Sequence, residues 1–427
     1  MRAMSKPSKG KGKSSIVIKW VISISIIISI FNLILYNSFI SKFDNGGTRG
    51  SSISNLPKSR RKPSNALRAH NQNSSKEANV STDKSDKRRV IEILESSGII
   101  ADEMLFQRLP TWHQVKSLYY PNKNDQPIIH GTETCHHFQQ NVSPKDRFIA
   151  PSGLFNSGTN LLHSLLTQYC IIPGHDNKNI STTQAVPDSS NGQEGFQSGI
   201  LDKPPWNKHV PHEIRMSQMS KMPIIDGIEQ SHVLPIYITK DPWYWMQSMC
   251  RHPYDARGFN TPSDPCPTLI QNQKGYLKGN QTPRKINVIF PNGKAFKNIL
   301  FVSLIDLWIK WHEEYYQDGT IPQLFIRYED LLFFPEQVLT TVCECGGGKI
   351  INDENGISLM EESVKLGVHP PPYTGLREAI SIYRSAVEKD DENDPRLQGL
   401  HDDEIHFVKS KLQKSPLMQL FGYVSPK

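Results

Sequence analysis

Of the 427 residues, the stretch Phe148 to Leu166, FIAPSGLFNSGTNLLHSLL, leaves the fewest folds open. Phe148 to Ala150 reads as the end of a short apolar strand, Pro151 to Ser157 as a small-residue loop, and Thr159 to Leu166 as the apolar face of a helix. The chain therefore passes from strand to helix through a glycine loop. Backbone N–H groups at such a turn lack intrahelical partners and converge on one point, so with the helix dipole they make a site for a phosphate or sulfate. Gly153 and Gly158 let the backbone approach an anion, and Ser157 and Thr159 add hydroxyl donors. The GxxxxG spacing is that of a nucleotide P-loop, but Thr159 and Asn160 stand where that motif needs Lys and then Ser or Thr. Without the lysine nothing in the loop reaches the β and γ phosphates, which argues against ordinary ATP or GTP chemistry. The competing reading is a glycine turn that only starts a helix.

The same strand, polar turn and helix pattern recurs. His232 to Thr239 is an apolar run rich in β-formers, followed by Lys240, Asp241, Pro242 and a helical Trp243 to Arg251 with Pro242 in its first turn. Asn298 to Ser303 then Asp306 to Tyr316, and Gln323 to Tyr328 then Phe334 to Cys343, repeat it. Alternation of this kind predicts an α/β fold with a P-loop-like, mostly parallel central sheet flanked by helices and ligands at the C-terminal strand ends. Lys274 to Phe296, with Asn292-Gly293, reads as an inserted hairpin, and Cys170 to Gln230, rich in Gly, Asn, Ser and Pro, as a loop insertion. Lys87 to Leu109 carries its apolar residues at helical spacing.

The net charge of +7 hides an asymmetry: residues 1–89 hold 18 Lys and Arg against 4 Asp and Glu, leaving 31 basic and 38 acidic residues in 90–427. The folded part is thus acidic, and nucleic-acid binding is not expected. Residues 1–15 read as a basic cytosolic tail and 16–40 as a single transmembrane signal-anchor of roughly the ~20 apolar residues a bilayer needs. A cleaved leader is the competing reading, against which the length of the run counts. Residues 41–86, mostly Ser, Asn, Lys, Gly and Arg, read as a disordered stem, and 87–427 as a lumenal domain with its core motifs in 148–347. Sequons at Asn73, Asn79, Asn141, Asn179 and Asn280 suit a lumenal glycoprotein. So do six cysteines, Cys135, Cys170, Cys250, Cys266, Cys343 and Cys345, an even count favouring disulfides. Cys250 with Cys266 is the favoured pair. No CxxC pair or His cluster at zinc spacing appears, so no metal is expected.

Four stretches, in order, resemble the sulfotransferases that use 3′-phosphoadenosine 5′-phosphosulfate (PAPS), especially their membrane-anchored Golgi branch. SGTNLL at Ser157 to Leu162 is similar to the loop that holds the 5′-phosphosulfate, which implies donor contacts from Asn156, Ser157, Gly158, Thr159 and Asn160. KHVP at Lys208 to Pro211 resembles the segment carrying the family's catalytic histidine, with one residue fewer. KDPWYWMQS at Lys240 to Ser248 resembles the 3′-phosphate element, a basic residue followed eight positions later by a serine. RYEDLLFFPEQVL at Arg327 to Leu339 resembles the segment whose tyrosine, here Tyr328, lies near the adenine. Two positions depart from the family: Asn156 stands where Lys or Arg is usual, and Lys240 replaces an Arg, keeping charge but losing the bidentate fork.

Sulfuryl transfer to a hydroxyl needs donors around the transferring oxygens, charge stabilisation on the leaving phosphate, and a base on the acceptor. The loop amides and Thr159 suit the first, Lys208 the second and His209 the third, an imidazole with its ordinary pKa near ~6.5. His212 and Glu213 are rival bases. Glu329 and Asp330 read as capping or pairing with Arg327, and Trp243, Tyr244 and Trp245 as packing. The resemblance implies a Golgi type II membrane enzyme sulfating a glycan or glycoprotein. Tyrosine sulfation, a lumenal nucleotide-dependent transferase and a non-catalytic PAPS- or glycan-binding relative are the alternatives.

Overall fold

Three runs of buried β-formers build the centre of the molecule. In the computed structural model, which describes residues 86–120, 125–175, 198–260, 266–271, 282–351, 356–362, 375–384 and 394–426, they are β2 (Phe148–Gly153), β3 (Val233–Thr239) and β7 (Leu324–Arg327). Every residue of the three is buried, as expected of strands covered on both faces. β3 lies between the other two and pairs with both in parallel, Gly153 opposite Ile238 and Arg327 opposite Thr239. Their C-terminal ends therefore open on one edge. A two-residue strand, β1 (Ile129–His130), joins β7 from the outside and runs antiparallel.

This corrects the expected fold in two respects. The central sheet is a four-stranded mixed one, β1-β7-β3-β2, because the chain enters it through the antiparallel β1. The strand expected at Asn298 to Ser303 leaves it altogether: β6 (Ala295–Phe301) pairs antiparallel with β5 (Ile286–Asn292) around Gly293, and β5 pairs with β4 (Ala256–Arg257). The second correction concerns the membrane. Among the described residues no helix is long and apolar enough to cross a bilayer. The longest, Leu304–Gln317, has 14 residues, about 21 Å of helix against a hydrocarbon core of ~30 Å. Residues 16–40, the tail before them and nearly all of the expected stem lie outside the described residues, as do the sequons Asn73, Asn79, Asn179 and Asn280.

Helices α1 (Thr159–Tyr169), α2 (His212–Lys221), α3 (Pro242–Arg251), α4 (Leu304–Gln317), α5 (Tyr328–Phe333) and α6 (Pro335–Cys345) complete the surroundings of the site. α3 starts where the sequence demands: Asp241 is its N-cap, accepting from the Trp243 N–H, and Pro242 occupies the first turn. The helix expected over Lys87 to Leu109 is broken into Arg88–Ser96 and Glu103–Arg108 by Gly98, whose φ of 75° ends the first. All six cysteines pair. Cys250 bridges Cys266 as expected, while Cys343 and Cys345, on the last turn of α6, reach back to Cys170 and Cys135. Arg327 and Asp330 form a fully buried ion pair at 2.6 Å that Tyr120 completes by donating its hydroxyl to the same carboxylate.

Candidate active site at the C-terminal strand ends

β2 runs three residues further than its apolar core, so Gly153 ends the strand and the loop is Leu154 to Gly158. Two features make Gly obligatory at its ends. A β-carbon on Gly153 would stand 2.5 Å from Ser157 Oγ and 2.7 Å from the Ile238 carbonyl, and one on Gly158, at φ 102°, would strike the Tyr328 ring. The loop is held from several sides: Trp245 Nε1 donates to the Phe155 carbonyl at 2.7 Å, and Ser157 Oγ to the Leu154 carbonyl at 2.8 Å. Thr159 and Asn160 open α1 directly behind Gly158. Asn156 has a left-handed backbone, φ 62°, which Asn tolerates better than most residues. Its amide donates to the Ser248 and His252 carbonyls at 3.2 and 2.8 Å, so its side chain clamps the loop to the end of α3.

The KHVP segment arrives at the same edge. Residues 199–208 run beside the outer side of β2, with Ile200 bridging Ile149 and the Lys208 carbonyl accepting from Gly153 N and Ser152 Oγ, both at 2.9 Å. That docking puts Lys208 and His209 at the loop. Lys208 Nζ donates to Asn160 Oδ1 at 2.8 Å and pairs with Asp202 at 3.2 Å; burial lowers its pKa, with Asp202 opposing. His209 Nδ1 lies 2.6 Å from the Gly153 carbonyl, an acceptor only, so Nδ1 carries the proton and a neutral ring keeps its basic lone pair on Nε2. Trp311 Nε1 donates to the His209 and Val210 carbonyls at 3.1 Å and the Tyr315 hydroxyl to Val210 at 2.9 Å, so α4 fixes the backbone at His209. The rival bases point elsewhere, His212 to Asp318 at 2.8 Å and Glu213 to Lys297 at 2.9 Å.

On the other side, β3 ends in Thr239 and delivers Lys240. Its buried ammonium donates to Ser248 Oγ at 3.1 Å and lies 4.6 Å from the centre of the Tyr328 ring, the ring that Gly158 abuts. The eight-residue interval works because Ser248 sits two turns along α3 and the lysine stem reaches down the helix. Arg251, one turn further, donates to the same hydroxyl at 3.0 Å. Sequence reasoning missed it. The signal was available, a basic residue three positions after Ser248 and therefore on the same helix face. Farther along the chain, Arg377 is engaged in an exposed pair with Glu361 at 2.6 Å.

Behind Lys240 lies a buried acidic pair. Glu329 accepts from Asp241 N at 3.1 Å and from the hydroxyls of Tyr423 and Tyr383 at 3.0 and 3.2 Å; Asp241 accepts from the Tyr119 hydroxyl at 3.2 Å and has Arg396 at 3.9 Å. Burial, then the charge of Asp241, pushes the Glu329 carboxyl up to about 7. Burial likewise raises Asp241, with Arg396 opposing, and raises the Tyr328 phenol.

Chemically, the edge brings to the glycine loop an ammonium and an imidazole on one side and two cations sharing a serine hydroxyl on the other. Comparison with known proteins finds no matching family model, no similar curated protein and no similar solved structure.

Proposed function

We propose that the chain is a PAPS-dependent sulfotransferase that modifies a hydroxyl of a glycan or polysaccharide in the Golgi lumen. The observation that carries this reading is convergence. Residues from four separated stretches, the 153–160 loop, Lys208–His209, Lys240–Ser248 and Tyr328, meet at the C-terminal ends of three adjacent parallel strands. A donor with phosphate groups at both ends needs such a divided set of cations, and the loop that opens α1 suits its phosphosulfate, because a helix N-terminus leaves backbone N–H groups for an anion. Lys240, Ser248 and Arg251 suit the 3′-phosphate, Tyr328 the adenine, and the loop with Lys208 the transferred group. Three disulfides with no cysteine left over favour an oxidising compartment.

PAPS supplies an activated sulfuryl group whose leaving phosphate carries the charge. His209 Nε2 takes the proton as the acceptor oxygen bonds to sulfur and the sulfur–oxygen bond to the leaving phosphate breaks. Lys208 offsets charge growing on that phosphate. A second reading, binding without turnover, is favoured by Asn156, whose amide serves helix carbonyls where the family has a cation. Transfer of radiolabelled sulfate from PAPS to a panel of glycans, with His209→Ala and Lys240→Ala as controls, tests the proposal. Transfer that both variants abolish supports it. Tight binding of adenosine 3′,5′-bisphosphate without transfer to any acceptor favours the second reading, and no binding of that nucleotide rejects both.

A further inference from the structure

Outside the site, the β5–β6 hairpin leaves one strand open. β6 has seven residues and lies at the margin of its sheet, in the order β6-β5-β4, and among the described residues no strand pairs with its other side. Its register against β5 runs unbroken from Asn292 opposite Ala295 to Ile286 opposite Phe301, so no bulge twists the edge away. Hydrogen bonding fixes which residues face that edge. Ile289, opposite Asn298, donates its N–H away from β6, to the Asp255 carbonyl. In an antiparallel ladder such a residue and its partner both turn their main-chain groups outwards, so Asn298, with Phe296 and Leu300 two residues to either side, presents N–H and C=O to the open side.

The side chains of the same three residues share one face of the strand. The opposite face is the core side, where Phe301 is buried and Ile299 half-buried beside Ile286, Val288 and Phe290 of β5. On the outer face Phe296 is 76% exposed and Leu300 62%. An edge both unpaired and apolar invites another strand, and natural edges are commonly blunted by a lysine, a proline or a bulge. β6 has no proline, and Lys297 is turned to the core-side face, where Glu213 holds it at 2.9 Å. The chemistry of the edge fits a second copy of itself. Two copies running antiparallel about a twofold axis at Asn298 set Phe296 of each opposite Leu300 of the other, with Asn298 opposite Asn298 and Lys297 opposite Ile299. The neighbouring registers are poorer: an axis at Lys297 brings two lysines face to face, and one at Ile299 sets Asn298 against Leu300.

We propose that β6 is a dimerisation edge: it pairs with β6 of a second copy, antiparallel and centred on Asn298, joining β6-β5-β4 of each copy into one continuous sheet. The contact is small beside the ~1,200–2,000 Å² of a standard stable interface, which sets the association in the micromolar range. It is independent of sulfate transfer. The test is sedimentation equilibrium of the full chain across micromolar concentrations, where a species of twice the 48.5 kDa of one chain should grow with concentration. Leu300→Lys, an exposed change that leaves the ladder to β5 intact, should weaken association about tenfold or more, because twofold symmetry applies each change twice. Phe296→Lys with Leu300→Lys should leave monomer alone. Phe296→Lys with Leu300→Glu should restore the dimer, since in this register every new lysine faces a glutamate. Circular dichroism and thermal unfolding identical to wild type certify that the variants fold. A wild type that stays monomeric leaves the edge to some other chain and overturns the proposal. A dimer that Leu300→Lys leaves intact overturns it too, by placing the interface elsewhere, and a lysine–glutamate variant as monomeric as the double-lysine one overturns the register.

Discussion

Glu329 makes the most quantitative prediction. Its side chain is fully buried behind Lys240, and desolvation with the nearby Asp241 raises its pKa from an ordinary 4.5 to about 7. Between those values the folded protein keeps a proton that the unfolded chain releases. Acid therefore favours the fold: the contribution is fully present below about pH 4.5 and is lost as the pH rises through about 7. A shift of that size corresponds to about 3 kcal/mol, at ~1.4 kcal/mol per pH unit. Glu329→Gln keeps an acceptor for the Asp241 N–H but cannot ionise. Urea unfolding of both proteins from pH 4.5 to 8 should show the wild type losing about 3 kcal/mol more than the variant across that range. Because each carboxylate acts on the other, removing the Glu329 charge also eases ionisation of Asp241, so the difference reads the buried acidic pair rather than Glu329 alone. Parallel stability curves, or a wild type that gains on the variant as the pH rises, would refute the assignment of a neutral Glu329 in the acidic range.

Lys240→Ala should weaken adenosine 3′,5′-bisphosphate by about 1.5–3 kcal/mol, roughly tenfold to a hundredfold by calorimetry, because it removes a buried charged donor; unchanged affinity would put the 3′-phosphate elsewhere. If the ring acts on the acceptor proton as proposed, His209→Gln should lower turnover by about 10² to 10⁴ while nucleotide affinity holds; an active variant would show that another group is the base. Gly158→Ala should lose nucleotide binding, because the new methyl meets the Tyr328 ring in a left-handed backbone. Replacing Cys250 and Cys266 by Ser opens a loop with a separation of 16 and should cost about 3 kcal/mol of stability in urea unfolding.

What the sequence made legible was local. The glycine loop, the lysine-to-serine interval on α3 and the ends of β3 and β7 are each spelled by neighbouring residues, and periodicity or turn chemistry reads them. The Asn292-Gly293 turn was legible too, but the strand after it was assigned to the wrong sheet, since a β-forming run carries no mark of its pairing partner. What stayed hidden is tertiary. Asn156 looks like a missing cation until α3 presents its last carbonyls to the amide. Glu329 and Asp241 are 88 residues apart, and nothing in either segment foretells that burial would set one beside the other. Phe155 and Tyr254 stack, at 5.3 Å, only after α3 has brought its own C-terminus back to the loop. The site is therefore a property of strand order: parallel neighbours gather segments that the chain itself keeps far apart.

The paired thiols of α6 bear on how the protein is made. Cys135 and Cys170 wait on partners 210 and 173 residues downstream, and both partners lie within three positions of one another. Synthesis delivers the waiting thiols first, so neither long bridge can close until the segment through Cys343 has emerged. The growing polypeptide must then keep two reactive sulfurs from joining each other while the chain from Cys170 to Cys343, a separation of 173, is made. Such a chain gains from an isomerase at its side during biogenesis, and truncation before Cys343 should yield cross-linked material instead of a smaller folded product.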